Sequence, residues 1–171
     1  LDAAGRLQVM TSTQVPFLVR RHLARLLGLP ASRIRVLKPR VGGGFGGKQT
    51  VSVEMYPAIV TLKTGRPARL VYRRSETFAC TTTRHAMRLT VRLGADRDGT
   101  LRAVDIRCLA DTGAYGEHAF TVFAAVSQKT LPLYGRARAC RYRGHAVYTN
   151  RTPAGALRGY GATQGAFALE S

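Results

Sequence analysis

Cysteine is scarce in this sequence: Cys80, Cys108 and Cys140 are the only three, an odd number at wide spacings. That excludes a paired disulfide framework and leaves no C-x-x-C arrangement for a metal or an iron–sulfur cluster, so buried, reduced thiols are expected. Long apolar runs are missing too. No stretch approaches the roughly eighteen apolar residues of a membrane span, and no basic-then-apolar start resembles a signal peptide, so a cytoplasmic location is expected. Acidic residues and lysine are sparse. Only 9 acidic residues stand against 27 basic ones, a formal charge of +18, and only Lys38, Lys48, Lys63 and Lys129 are lysines. Such a charge raises nucleic acid or an anionic surface as a partner. The arginines, however, are spread through every segment and are not interleaved with aromatics, which disfavours a specific nucleic-acid module. Cover by a more acidic neighbouring part is the simpler account.

What is present suffices for a core: 171 residues at 45% apolar composition imply one domain or a compact piece of a larger one. The chain starts at Leu1 and its last expected helix is interrupted at Ser171, so a segment of a longer protein is expected. Arg6 to Met10 reads as a strand. Thr11, Ser12 and Thr13 then offer capping hydroxyls, and Pro16 suits a first helical turn. Val15, Leu18, Val19, His22, Leu23, Leu26 and Leu27 recur at helical spacing until Gly28 and Pro30, with His22 read as a core or boundary residue. A strand is expected over Arg33 to Lys38, then a glycine loop, then a helix over Lys48 to Leu62 kinked at Pro57. Alternation of Met87, Leu89, Val91 and Leu93, a turn at Asp98-Gly99, and alternation of Val104, Ile106, Cys108 and Ala110 make a hairpin. A helix over His118 to Lys129, a strand over Ala139 to Thr149 and a helix from Gly161 complete an α+β fold of mixed helices and an antiparallel hairpin.

The segment Val41-Gly42-Gly43-Gly44-Phe45-Gly46-Gly47-Lys48-Gln49 lies between an expected strand and an expected helix, where backbone N–H groups can hold an anion. As a nucleotide phosphate loop it satisfies G-x-x-x-x-G-K through Gly42, Gly47 and Lys48, but Gln49 stands where a hydroxyl must reach magnesium. As a dinucleotide fingerprint it satisfies G-x-G-x-x-G, yet no carboxylate follows at ribose distance; Glu54 and Glu76 are the next ones. A tight surface connector is the third possibility.

Arg40 to Lys48 also resembles the glycine-rich signature of the molybdopterin-binding subunit of the molybdenum hydroxylases, the xanthine dehydrogenase and aldehyde oxidase family. Ser12-Thr13-Gln14 resembles that family's Ser-Thr-Gln segment at its spacing from the loop. Ala110-Asp111-Thr112-Gly113-Ala114-Tyr115 and Ala156-Leu157-Arg158-Gly159-Tyr160-Gly161-Ala162-Thr163-Gln164-Gly165 resemble two further stretches of it, in order.

The resemblance implies that residues 1–171 are part of a molybdenum cofactor-binding domain in a larger oxidoreductase. That enzyme would hydroxylate an N-heterocycle or aldehyde with water as oxygen source. Gln14, Gly44, Phe45, Gly46, Ala156 and Arg158 would line molybdenum-molybdopterin, possibly in its cytosine dinucleotide form, with Gln14, Phe45 and Arg158 near the metal without ligating it. Gln49 and Tyr160 would face substrate. Gln49 replaces the glutamate of xanthine-oxidising members, and their opposite arginine is missing near Ala125 and Val126, so xanthine is disfavoured. Gly159 replaces the cysteine of carbon monoxide dehydrogenases. The family's general base would lie beyond Ser171, leaving no catalytic residue here; Glu117 with His118, and Glu170, match no catalytic position. Iron–sulfur and FAD sites are expected on other domains or subunits, and the isolated chain is expected to be inactive. A phosphate-loop nucleotide-binding domain, a basic nucleic-acid-binding module and a structural interface domain are the alternatives.

Overall fold

The computed structural model describes residues 1–171, which divide into two compact units, residues 1–81 and 82–171. In the first, strand β1 (Leu7–Met10), helix α1 (Pro16–Leu27) and strand β2 (Ile34–Leu37) form a βαβ turn of chain, with β1 parallel to β2 and Leu7 opposite Ile34. Pro16 occupies the first turn of α1, where an N–H would have no intrahelical partner, and the Val15 amide just ahead donates to Thr13 Oγ1 at 3.0 Å. Gly28, left-handed at φ 64°, ends the helix. Val19 and Leu23 are buried against Leu7, Val9 and Ile34. His22, expected at the core boundary, is exposed. A two-stranded sheet covers too narrow an arc of α1 to reach it.

Helix α2 (Met55–Thr64) begins well after Lys48, because residues 45–50 curl into successive turns. Pro57 consequently falls in the first turn of α2, where it starts the helix and does not kink it. Helix α3 (Arg74–Cys80) is not evident from apolar periodicity. Its start is marked by Glu76, whose carboxylate accepts from the Arg73 amide at 2.6 Å, half of a capping box without the usual Ser or Thr.

The second unit is built on a three-stranded sheet of order β3-β4-β5. Strands β3 (Met87–Ala95) and β4 (Leu101–Asp111) form the expected antiparallel hairpin, with Leu89 opposite Cys108 and Val91 opposite Ile106. Strand β5 (Ala139–Val147) runs parallel to β4 on its other edge, after a crossover through helix α4 (Ala119–Gln128). Helix α5 (Ala162–Glu170) closes the unit. Val104, Ile106, Cys108 and Ala110 of β4 pack with Val126 and Leu169 of these helices. Burial pushes the Tyr142 phenol up, so it stays protonated and donates to the Phe123 carbonyl at 2.5 Å, tying β5 to α4. The fold is therefore α+β, and no helix is long and apolar enough to cross a membrane.

All three cysteines are free, but only Cys108 is buried, its thiol pKa raised by desolvation. Cys80 and Cys140 are exposed, contrary to the expectation for all three. They lie at the end of a short helix and near the start of an edge strand, where side chains meet solvent.

Helices α4 and α5 approach at Gly165, where a Cβ would lie 2.4 Å from the Val126 carbonyl oxygen and 2.9 Å from Thr130 Cγ2. Gly165→Ala must push two helix backbones apart and should destabilise the chain by about 3 kcal/mol. Gly28→Ala meets no atom within 4 Å and carries only the left-handed backbone cost, about 1 kcal/mol. Urea denaturation of the two variants checks the ranking.

Candidate functional site

Gln14 stands between β1 and α1, and the glycine loop lies directly beneath it. Gln14 Oε1 accepts from the Gly46 amide at 3.1 Å and from the Lys48 amide at 3.3 Å. Two backbone donors identify that atom as the oxygen, so the amide NH2 is the outward end of an exposed side chain. The two segments are zipped further: the Gln14 amide donates to the Lys48 carbonyl at 2.9 Å and Lys48 Nζ donates to Ser12 Oγ at 2.8 Å. Gly44 leaves room for this arrangement, since a Cβ there would lie 2.3 Å from Gln14 Oε1 and would displace the Gln14 side chain.

This geometry corrects the anion-loop reading. The Gly46 and Lys48 amides are engaged by Gln14, and Lys48 by Ser12, so none points outward as a phosphate cradle requires. The loop also does not run into a helix: it ends at Gln49, whose amide donates to the Gly46 carbonyl at 3.0 Å, well before α2. Gly46 contributes by orienting Gln14. A depression of about 330 Å³ beside the loop is lined by Ser12, Gly47, Lys48 and Glu54, among others.

Glu54 is a residue that motif reading passed over. It is 5% exposed, and its carboxylate accepts from Thr11 Oγ1 at 3.0 Å and from the Ser52 and Val53 amides, each at 3.1 Å. It thereby joins the end of β1 to the start of α2. A Glu just before an apolar helical run was the available signal.

In the second unit the motif at residues 110–115 serves the motif at 156–165. Asp111 Oδ1 accepts from the Gly113 amide at 2.9 Å and Thr149 Oγ1 at 2.6 Å; these bonds, with Arg151 nearby, lower its pKa. The turn presents the Thr112 carbonyl to the Ala154 amide at 3.0 Å, which starts the buried run Ala154, Gly155, Ala156. Beyond it Arg158 is exposed, and its carbonyl accepts from Arg84 Nη2 at 2.5 Å. Arg84 Nη1 also reaches Thr163 Oγ1 at 2.9 Å, so one guanidinium, unnoticed in the sequence, clamps both ends of the Arg158 turn.

Tyr160 is half-buried, and its hydroxyl lies 2.5 Å from Thr121 Oγ1 and 3.0 Å from His118 Nδ1, contacts that a phenylalanine could not make. His118 also lies 3.8 Å from Glu117, and Glu170 bonds the Tyr134 hydroxyl. His118 through Tyr160, and Glu170 through Tyr134, hold segments together.

Phe45 at φ 49° and Tyr160 at φ 48° are the only non-glycine residues with left-handed backbone. Both sit in the two glycine-rich motifs, the kind of place where strain persists because function requires the conformation. Phe45 is also 68% exposed, unusual for a phenylalanine.

No group of three or more His, Cys, Asp or Glu side chains is placed to hold a metal ion. The donors presented are instead a neutral amide, a guanidinium and tight glycine turns. Each of these, taken within its own unit, is of a kind that suits a cofactor bringing its own metal ligands, as a pterin-bound metal does.

The profile of the molybdopterin cofactor-binding domain matches residues 1–171. The chain is 43% identical over 172 aligned residues to the xanthine dehydrogenase molybdenum-binding subunit of Escherichia coli O157:H7, covering 100% of this chain and 23% of that protein. It is 36% identical to the nicotinate dehydrogenase large molybdopterin subunit of Eubacterium barkeri, covering 95% of this chain and 38% of the relative. The aldehyde oxidoreductase structure from Desulfovibrio gigas superposes with a TM-score of 0.87 at 27% identity, over 98% of this chain and 18% of that one. The chain belongs to the molybdopterin cofactor-binding domain family, in its xanthine dehydrogenase and aldehyde oxidase branch. It spans less than two fifths of the length of either relative.

His85, next to Arg84, is 2% exposed, and neither ring nitrogen has a hydrogen-bond partner. Desolvation lowers its pKa from the usual 6.5, so it is neutral when folded; the Gly155 backbone nearby only partly offsets this. Because the unfolded chain binds the proton more readily, stability should fall as pH drops below about 6.5 towards the folded pKa. Urea midpoints at neutral and mildly acidic pH should show that loss in the wild type and a smaller one in His85→Leu. An unchanged pH dependence in the variant would refute it.

Proposed function

We propose that the protein containing this chain is a molybdenum hydroxylase acting on an N-heterocycle or an aldehyde. When bound, molybdopterin would supply the metal that takes two electrons from the substrate as an oxygen from water is added to it. Gln14, Gly44, Phe45, Gly46, Ala156 and Arg158 form the cofactor-lining set, with Gln14, Phe45 and Arg158 nearest the metal. Gly44 and Gly46 act by seating Gln14. Gln49 and Tyr160 are the substrate-facing pair.

The observation that carries the reading is the orientation of Gln14, whose oxygen is held by two loop amides so that the NH2 is presented outward. A fixed neutral donor stabilises developing negative charge without adding charge of its own. Arg158 is suited to an anionic neighbour, and the Arg84 clamp on its carbonyl holds that backbone still. Ala156 and its neighbours are small and buried, which permits close backbone approach.

The general base, the iron–sulfur clusters and FAD are assigned to the remainder of the subunit or to partner subunits, and the cofactor is allowed its cytosine dinucleotide form. The isolated chain is accordingly inactive. Cytoplasmic residence is the companion proposal: exposed free thiols at Cys80 and Cys140 suit a reducing compartment.

The test uses the complete enzyme with its electron-transfer partners. Gln14→Glu keeps an oxygen for the two loop amides but replaces the NH2 with a charge. Molybdenum content should stay near that of the wild type, while turnover of nicotinate, hypoxanthine or an aromatic aldehyde falls about a hundredfold. Full turnover in the variant would remove Gln14 from the site, and a wild-type enzyme without molybdenum would overturn the function itself.

A further inference from the structure

We propose that the outer face of the β3-β4-β5 sheet is a docking surface for a carboxylate-rich protein surface. One face of the sheet packs against α4 and α5; the other carries the alternate residues of each strand. Strand register aligns them: Thr90, Arg107 and Arg143 form one row across the sheet, and Arg92, Asp105 and Arg141 the next. Arg88 begins a third row, opposite Leu109. Five arginines thus share one face with two carboxylates, Asp105 and, at the end of β4, Asp111, which is taken up by Thr149 and Arg151.

Asp105 is already committed. It is bonded by Arg141 Nη2 at 2.7 Å and Nε at 3.1 Å and lies 3.7 Å from Arg143. Arg88, Arg92 and Arg107 make no ion pair. Arg107 and Arg143 are direct cross-strand neighbours, a like-charge pairing that weakens a sheet by itself. A covering carboxylate surface turns that repulsion into paired, bidentate contacts, for which the planar guanidinium is well shaped.

The form of the face favours a protein over a nucleic acid. It is a sheet surface with a depression of about 340 Å³ bounded by Arg88, Arg107 and Arg143 around Leu109. Leu109 is 44% exposed at its centre, giving an apolar contact within a rim of arginine, the composition of protein interfaces. The outward strand positions include no Phe, Tyr or Trp on which bases could stack, and His145, beside Leu109, is the one ring there. The proposal is independent of the cofactor reading.

The test measures binding of the 171-residue chain to a polyglutamate peptide at low salt, with duplex DNA as a competing probe. R107E/R143E should weaken polyglutamate binding by at least about tenfold. The control R20E/R66E changes net charge equally with exposed arginines of α1 and the loop after α2, and should leave binding within about twofold. R107Q/R143Q, which removes the charges without placing a carboxylate beside Asp105, should show the same loss with an unchanged circular dichroism spectrum. Equal losses in the sheet and control variants would overturn the proposal, leaving only bulk charge. Tighter binding of duplex DNA than of polyglutamate, with the same dependence on Arg107 and Arg143, would also overturn it in favour of a nucleic-acid partner.

Discussion

The first unit depends on the clamp between residues 12–14 and residues 46–48. One side-chain oxygen, Gln14 Oε1, takes two backbone amides from a loop that has almost no side chains of its own with which to hold a shape. A glycine-rich chain has the most conformational freedom to lose on folding, and an external acceptor is an effective way to restrict it. The same contact sets the side chain's own direction. Loop order and amide orientation are therefore one constraint: the loop is shaped by the residue it serves. Glu54 extends the logic at the next turn of chain, using a buried carboxylate to collect a hydroxyl and two amides that would otherwise lack partners.

The second unit solves the same problem differently. The Arg158 turn is held by groups remote in sequence: the Thr112 carbonyl fixes its approach, the Arg84 guanidinium its two ends, and Thr121 with His118 the hydroxyl of Tyr160. These contacts put Phe45 and Tyr160 in equivalent situations within their own units, each a left-handed aromatic beside glycine. A phosphate-loop architecture needs its amides open and a helix starting immediately. In the observed loop the amides from Gly46 to Gln49 are taken within the chain and no helix starts at once, which is why a pattern satisfying G-x-x-x-x-G-K does not carry nucleotide chemistry here.

Charge is distributed in a way that linear order conceals. Arginine is present in every segment, yet a period of two within three strands, combined with their register, gathers five arginines on one face. Asp105, the acid among them, has its pKa lowered by Arg141 first and Arg143 after it, while Asp111 at the end of β4 is held by Thr149 and Arg151. The remainder of the positive charge is left for solvent or a partner to neutralise.

Family membership was legible in the sequence because it rests on short motifs whose residue types are demanded locally: glycine where a Cβ would collide with Gln14, and Gln, Arg and Tyr at fixed spacings. Helix α1 and the β3-β4 hairpin were equally legible, since Gly28, Pro16 and the Asp98-Gly99 turn act over a few residues. The parallel placement of β5, the late start of α2, the exposure of His22 and the roles of Arg84, Glu54 and His85 were not. Each depends on what a distant segment presents, whether the β4 edge, the Gln14 acceptor or the Arg158 carbonyl. Local propensity determines where the chain turns; which donor meets which acceptor is decided only when tertiary packing removes water and buried polar groups take partners from segments far apart in sequence, His85 being the exception that finds none.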